Sequence, residues 1–337
     1  MTTARHWQTL ADGRVQCDLC PRHCRLRPGQ RGFCFVRQNL GGKLDLTTYG
    51  RSSGFAVDPV EKKPLYHFLP GSDVFSFGTA GCNLSCRFCQ NWDISTARDM
   101  DRLMAQATPE EIAAAAKRTG CQSVAYTYND PIIFTEYAVD AALAARADGL
   151  YSIVVSAGYI TPAGAADLFG PIDAANIDLK SFEPEFYRKI TGGRLDVVLD
   201  VLRYLVHETT VWTEVTTLVI PGLNDSPSEL GRLTEWVAGE LGPDVPLHFS
   251  AFHPAARMTN RPVTPLATLR QARDIGLANG LRYVYLGNVA EPGGSVTVCP
   301  GCRTGLVVRF GYQVADQRLT PDGLCPECGQ TVAGRWA

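Results

Sequence analysis

The sequence predicts an α/β fold, a partial (β/α)6 barrel of the TIM type with a Cys-rich segment at each end. Three observations carry this. Between residues 74 and 279, runs rich in Val, Ile, Tyr, Phe and Thr alternate with helix-forming runs. One strand and one helix recur at roughly 25 to 40 residues per unit, as βα repetition on a parallel sheet requires. The cysteines gather in clusters, at both ends of the chain and just after the first strand of the alternating region. These features divide the chain into a Cys-rich N-terminal segment (1–45), a βα core (46–295) and a small C-terminal domain (296–337). An open doubly wound sheet is the alternative topology for the core.

Strands are expected at 74–77, 123–128, 152–156, 175–179, 211–220, 247–252 and 282–286, where β-branched and aromatic residues concentrate. Helix starts lie between them. Thr108-Pro109-Glu110-Glu111 offers an N-cap, a proline at the first helical position and an acid at the third, a capping box. Ser226-Pro227-Ser228-Glu229 repeats it, while Thr161-Pro162 and Thr264-Pro265 offer a cap and proline without the acid. Residues 112–117 and 137–147 are strong helix formers. A barrel built this way carries its site at the C-terminal ends of the strands. Whatever follows residue 77 directly therefore lies on that face.

Composition excludes several classes. The 337 residues are 45% hydrophobic and 20% charged, with a net charge of −2. This is an ordinary globular composition, and nucleic-acid binding is not indicated. The basic stretch of Arg22, His23, Arg25, Arg27 and Arg31 reads as a solvated loop. No run of about eighteen apolar residues marks a membrane span. The N-terminal stretch lacks the apolar core of a secretory signal, so a cytoplasmic location is expected. There thiols stay reduced, and clustered cysteines bind metals or do chemistry.

The twelve cysteines divide into Cys17, Cys20, Cys24 and Cys34, then Cys82, Cys86 and Cys89, then Cys299, Cys302, Cys325 and Cys328, leaving Cys121 alone. Cys121 precedes an apolar strand and reads as a small buried hydrophobe. Four thiolates close a tetrahedral metal site, whereas three leave it open. The three-cysteine loop, Gly78-Thr-Ala-Gly-Cys-Asn-Leu-Ser-Cys-Arg-Phe-Cys89, has no fourth cysteine nearby. A [4Fe–4S] cube needs one ligand per iron, so three cysteines leave one iron free. A three-ligand zinc site is the competing reading.

Cys82-x3-Cys86-Arg87-Phe88-Cys89, with an aromatic before the last cysteine, resembles the signature of radical S-adenosylmethionine (SAM) enzymes. The resemblance implies that Cys82, Cys86 and Cys89 hold a [4Fe–4S] cluster whose open iron is chelated by SAM. Reductive cleavage of SAM would then yield methionine and a 5′-deoxyadenosyl radical that abstracts hydrogen from a substrate. An electron donor such as flavodoxin or ferredoxin is implied as a partner. The substrate, a partner protein among the options, is not identified by the sequence.

Other segments extend the resemblance. Asn129 and Asp130, at the end of the second strand, match a motif that binds the SAM amino group, without its glycines. Asp178 and Lys180 match an Asp-Leu-Lys segment of the pyruvate formate-lyase activating branch, facing the ribose and carboxylate. Ser156 stands in a turn where that branch has Thr-Asn-Gly, and Ala157 departs from the pattern. Leu218 resembles an apolar residue packed on adenine, and His253 a ribose contact. The combination of CxxCPxxC, CxxxCxFCQN, Tyr-Thr-Tyr-Asn-acid-Pro, a late Tyr-Val-Tyr-Leu-Gly-Asn strand and terminal CxxC pairs is similar to the radical SAM protein of the AmmeMemoRadiSam system.

Cys299-x2-Cys302 and Cys325-x2-Cys328 have zinc-ribbon spacing, two knuckles with a hairpin between. A segment this short needs its metal to fold. A rubredoxin-like iron is the competing occupant. The spacing of Cys17, Cys20, Cys24 and Cys34 leaves zinc and a second iron–sulfur cluster equally open. Two further functional readings remain. One is an activase that places a glycyl radical on a partner protein. The other is a non-catalytic zinc-binding module for RNA or protein, which the slightly negative chain and the βα core oppose.

Overall fold

The computed structural model describes residues 2–97 and 105–337. The chain forms two compact units, Met1–Asp58 with Asp73–Asp173 and Ile190–Val201, and Pro59–Ser72 with Ala174–Lys189 and Leu202–Ala337. The fold is α/β, with parallel strands at the core of each unit and antiparallel strands in the Cys-rich segments. The N-terminal Cys-rich segment belongs to the first unit and the C-terminal one to the second. Among the described residues, no helix is long and apolar enough to cross a membrane.

In the first unit, strands β1 (Asp73–Phe77), β2 (Ser123–Tyr126) and β3 (Tyr151–Ser156) pair in parallel, Ser123 opposite both Val74 and Tyr151. All four residues of β2 are buried, as a strand covered on both faces requires. Helices α1 (Pro109–Arg118), α2 (Thr135–Ala147) and α3 (Pro162–Phe169) follow strands as expected. The capping box of α1 is complete: the Thr108 side chain accepts from Glu111 N, and the Glu111 carboxylate accepts from Thr108 N. Thr161 caps α3 by accepting from Gly164 N.

Two small antiparallel sheets build the N-terminal segment, one from Trp7–Thr9, Val15–Cys17 and Arg25–Leu26, the other including Arg37–Leu40 and Lys43–Leu46. A buried ion pair fastens the second to the start of α2. Arg37 grips Glu136 with two hydrogen bonds of 3.0 and 2.5 Å and donates a third to the Ile133 carbonyl at 3.1 Å. Both side chains are almost fully buried, at 2% and 3% exposure.

In the second unit, β4 (Ala174–Asp178), β5 (Trp212–Val219), β6 (Leu247–Ala251) and β7 (Val284–Gly287) run parallel in that order. Helices α4 (Pro227–Trp236) and α5 (Leu266–Ala278) connect them. Strands Thr297–Val298, Gly305–Phe310 and Gln313–Gln317 form the C-terminal antiparallel sheet. A buried polar network ties this sheet to the parallel one. Glu214 accepts from the Tyr66 and His67 amides at 3.0 and 2.8 Å and sits 2.6 Å from His248 Nε2. Arg309 donates to the Tyr66 carbonyl and to Thr297 Oγ1. Burial pushes His67 down to about 4, so it sits neutral between the Ala333 carbonyl and the Tyr285 hydroxyl.

Two expected caps differ. Ser226 does accept from Glu229 N, but the Glu229 carboxylate turns away to Ser181 Oγ and Phe182 N, so the box is half formed. Thr264 does not cap α5, whose N-cap is Pro265. Its hydroxyl donates to the Val219 carbonyl and accepts from Phe252 N instead, satisfying buried backbone groups between β5 and the end of β6.

Glu136→Ala strands the Arg37 charge in the interior, a loss of roughly 3–5 kcal/mol. Urea unfolding will show a correspondingly lower midpoint. An unchanged midpoint would mean that the pair contributes nothing.

Candidate functional site

The loop after β1 is shaped by close backbone approach. A Cβ at Gly78 would overlap the Thr127 carbonyl and Asn129 Oδ1, and one at Gly81 would overlap the Cys34 carbonyl. Gly81 also has φ of +85°, a conformation that side chains disfavour. Asn129 Oδ1 accepts from Thr79 N at 2.8 Å, and Nδ2 donates to Thr79 Oγ1 at 3.2 Å and to the Gly81 carbonyl at 3.0 Å. Tyr128, with φ of +69°, turns the chain so that Asn129 faces this loop.

Further bonds hold the rest of the loop. Ser85 N and Arg87 N donate to the carbonyls of Thr191 and Ile190 at 2.8 and 3.0 Å. Asn91 Nδ2 donates to the Tyr128 carbonyl at 2.7 Å, and Asn83 Nδ2 to the Tyr159 carbonyl at 2.8 Å. Arg22 reaches across to the Asn83 and Gly192 carbonyls. Phe88, on the loop itself, is buried. Arg22 was expected on a solvated loop but is part-buried and bonded to backbone, and Asn83, Thr79 and Tyr159 were not singled out. Their partners are distant in sequence, and no local spacing advertises them.

Cys82, Cys86 and Cys89 are all half-buried on this loop. Cys82 packs with Leu84, Ala157 and Tyr159. Burial raises the Cys82 thiol well above its ordinary range, and the Asp130 carboxylate adds to the rise. A thiolate there needs a positively charged partner, which a metal centre supplies.

Asp130 accepts from Ser156 Oγ at 2.9 Å, from Ala157 N at 3.0 Å and from Ile132 N at 3.2 Å. Ser156 Oγ in turn accepts from Gly158 N. Asn129, Asp130 and Ser156 are thus brought together at the C-terminal ends of β2 and β3. In the second unit, Asp178 and Lys180 pair at 2.7 Å at the end of β4. The Lys180 amide donates to the Tyr187 hydroxyl at 3.0 Å, and its carbonyl accepts from Asn224. Leu218 is half-buried near the end of β5, and His253 is exposed just beyond β6.

The C-terminal cysteines form a compact site. Cys299, Cys302, Cys325 and Cys328 have their sulfurs within 4.8 Å of one another, with Cys299–Cys328 at 3.5 Å and Cys302–Cys325 at 3.6 Å. Thiolates about 2.3 Å from one tetrahedral ion lie roughly 3.8 Å apart, so the set fits a single metal. Cys17, Cys20, Cys24 and Cys34 instead line one cavity. Cys121 is buried, as expected of a small hydrophobe.

Asn129, Asp130 and Ser156 in the first unit, and Asp178 and Lys180 in the second, stand at the C-terminal ends of parallel strands, the place where α/β enzymes carry their sites. The radical SAM superfamily model matches residues 77–233. The uncharacterized protein MJ0808 of Methanocaldococcus jannaschii is 38% identical over 333 residues, 98% of this chain and 99% of its own. GTP 3′,8-cyclase of Limosilactobacillus fermentum is 24% identical over 208 residues, 61% of each protein. Among solved structures, a radical SAM methyltransferase from Sphaerobacter thermophilus aligns with a TM-score of 0.50 and 16% identity, covering 68% of this chain and 71% of that one. The chain belongs to the radical SAM superfamily. Membership implies a [4Fe–4S] cluster and SAM.

Asn129→Ala removes three hydrogen bonds from the loop at once. Iron retained per chain after anaerobic reconstitution should fall at least severalfold, while far-ultraviolet circular dichroism stays unchanged. Full iron retention would show that Asn129 does not organise the loop.

Proposed function

We propose that this chain is the radical SAM enzyme of the AmmeMemoRadiSam type, acting by hydrogen abstraction on a substrate not yet identified. The observation that carries the reading is the trio of thiols, with no fourth on the loop, fixed at the end of β1 by Asn129 and paired glycines. When bound to Cys82, Cys86 and Cys89, the cluster supplies the electron that splits SAM into methionine and a 5′-deoxyadenosyl radical.

The chain's own groups bind and orient. Asn129 holds the loop, and the Asp130 carboxylate beside it offers the negative charge that an ammonium needs. Ser156 fixes that carboxylate from β3. Asp178 and Lys180 are assigned to the ribose and carboxylate of SAM, Leu218 to adenine and His253 to the ribose. Support comes from their positions at or near the C-terminal ends of three consecutive parallel strands. Phe88 lines the cluster loop and keeps water from it. The partial (β/α)6 barrel, a cytoplasmic location and a flavodoxin or ferredoxin as electron donor belong to the same reading. Zinc at the C-terminal four-cysteine site is assigned a structural role.

The test is direct. Anaerobically reconstituted protein given dithionite and SAM should release 5′-deoxyadenosine, and Cys82→Ala should release no more than a protein-free blank. Equal release from both proteins, or none from a wild type shown to hold its cluster, would remove the assignment of Cys82.

A further inference from the structure

The four cysteines of the N-terminal segment stand apart from the site just described. Cys17, Cys20, Cys24 and Cys34 line one cavity, together with Leu19 and Ile132. The backbone aims them there at some cost. His23 and Phe35, next to Cys24 and Cys34, both take left-handed conformations, with φ of +42° and +72°. Such strain persists in non-glycine residues only where surrounding structure enforces it. The Cys17 amide donates to the Cys24 carbonyl at 3.0 Å, which brings the two ends of the first turn together.

The arrangement differs from the C-terminal site in one decisive respect. There, four sulfurs crowd within 4.8 Å of one another, as one ion demands. Among the described residues, no three of the N-terminal sulfurs do so, although all four cysteines border the same space. Four thiols that border one space without crowding as one ion demands suit a cofactor with several metal atoms. The Arg22 guanidinium, held by the backbone carbonyls of Asn83 and Gly192, also borders the cavity, placing positive charge where a thiolate-ligated cluster carries net negative charge.

We propose that Cys17, Cys20, Cys24 and Cys34 hold a second iron–sulfur cluster, separate from the one at Cys82, Cys86 and Cys89. It abuts the first cluster's loop. The Cys34 carbonyl presses against Gly81, and Arg22 holds the carbonyl of Asn83, so residues on both sides of Cys82 touch the N-terminal segment. This proposal does not depend on SAM chemistry at the first loop.

The full-length chain is reconstituted anaerobically with iron and sulfide in three forms: wild type, Cys82→Ala/Cys86→Ala/Cys89→Ala, and Cys20→Ser/Cys24→Ser. The last changes two half-buried positions and leaves the buried Cys17 and Cys34 in place. Iron, zinc and acid-labile sulfide are counted per chain. Two [4Fe–4S] cubes give about eight irons in the wild type, and the triple variant should keep about half of them with matching sulfide. The Cys20/Cys24 variant should lose iron while zinc stays unchanged. A triple variant that holds no iron, or a wild type that holds a second zinc lost in the Cys20/Cys24 variant, would overturn the proposal. If the triple variant kept all of the wild-type iron, the first-loop assignment would fail and this one would stand.

Discussion

The carboxamide of Asn129 is the contact on which the rest of the site depends. One side chain satisfies an amide, a hydroxyl and a carbonyl of the loop that carries the cysteines. It can do so because Gly78 and Gly81 allow backbone to approach where any side chain would collide. The loop is therefore set by the strand beside it as well as by its own sequence.

Burial explains much of the chemistry around it. An isolated thiolate in this setting is disfavoured, and so is an isolated guanidinium. The chain resolves the second case with the Arg37–Glu136 pair; the first calls for a metal, because neighbouring thiols push one another further up. In the second unit, Glu214, His248, His67, Tyr285 and Arg309 form a satisfied network that joins parallel strands to the C-terminal sheet. That network fastens the C-terminal sheet, and a metal held by the four close sulfurs would fasten it again.

Much of this was legible in the sequence. The seven core strands lie within two residues of their expected bounds, because parallel strands buried on both faces read as unbroken apolar runs. The box at Thr108 was readable because both partners lie within one turn. The half box at Ser226 was not, since Ser181 competes for Glu229 from 48 residues away. Thr264 failed for the same reason, drawn to backbone between strands. At the site, the cysteine spacing announced a metal loop. Asn129 was visible only by resemblance, and its hold on Thr79 and Gly81 is a tertiary fact. Arg22 read as part of a solvated basic stretch because its carbonyl partners lie 61 and 170 residues away, and Asn83 gave no local signal.

The central claim is that three protein thiols leave one iron of the cluster open to SAM. Electron–nuclear double resonance on the reduced protein tests it most directly, using SAM labelled at its amino nitrogen and carboxylate oxygens, in the Cys20→Ser/Cys24→Ser background to isolate one cluster. The account predicts couplings from both labels, since both groups would bind the open iron. A spectrum indifferent to SAM, from protein with a full cluster at the first loop, would contradict it.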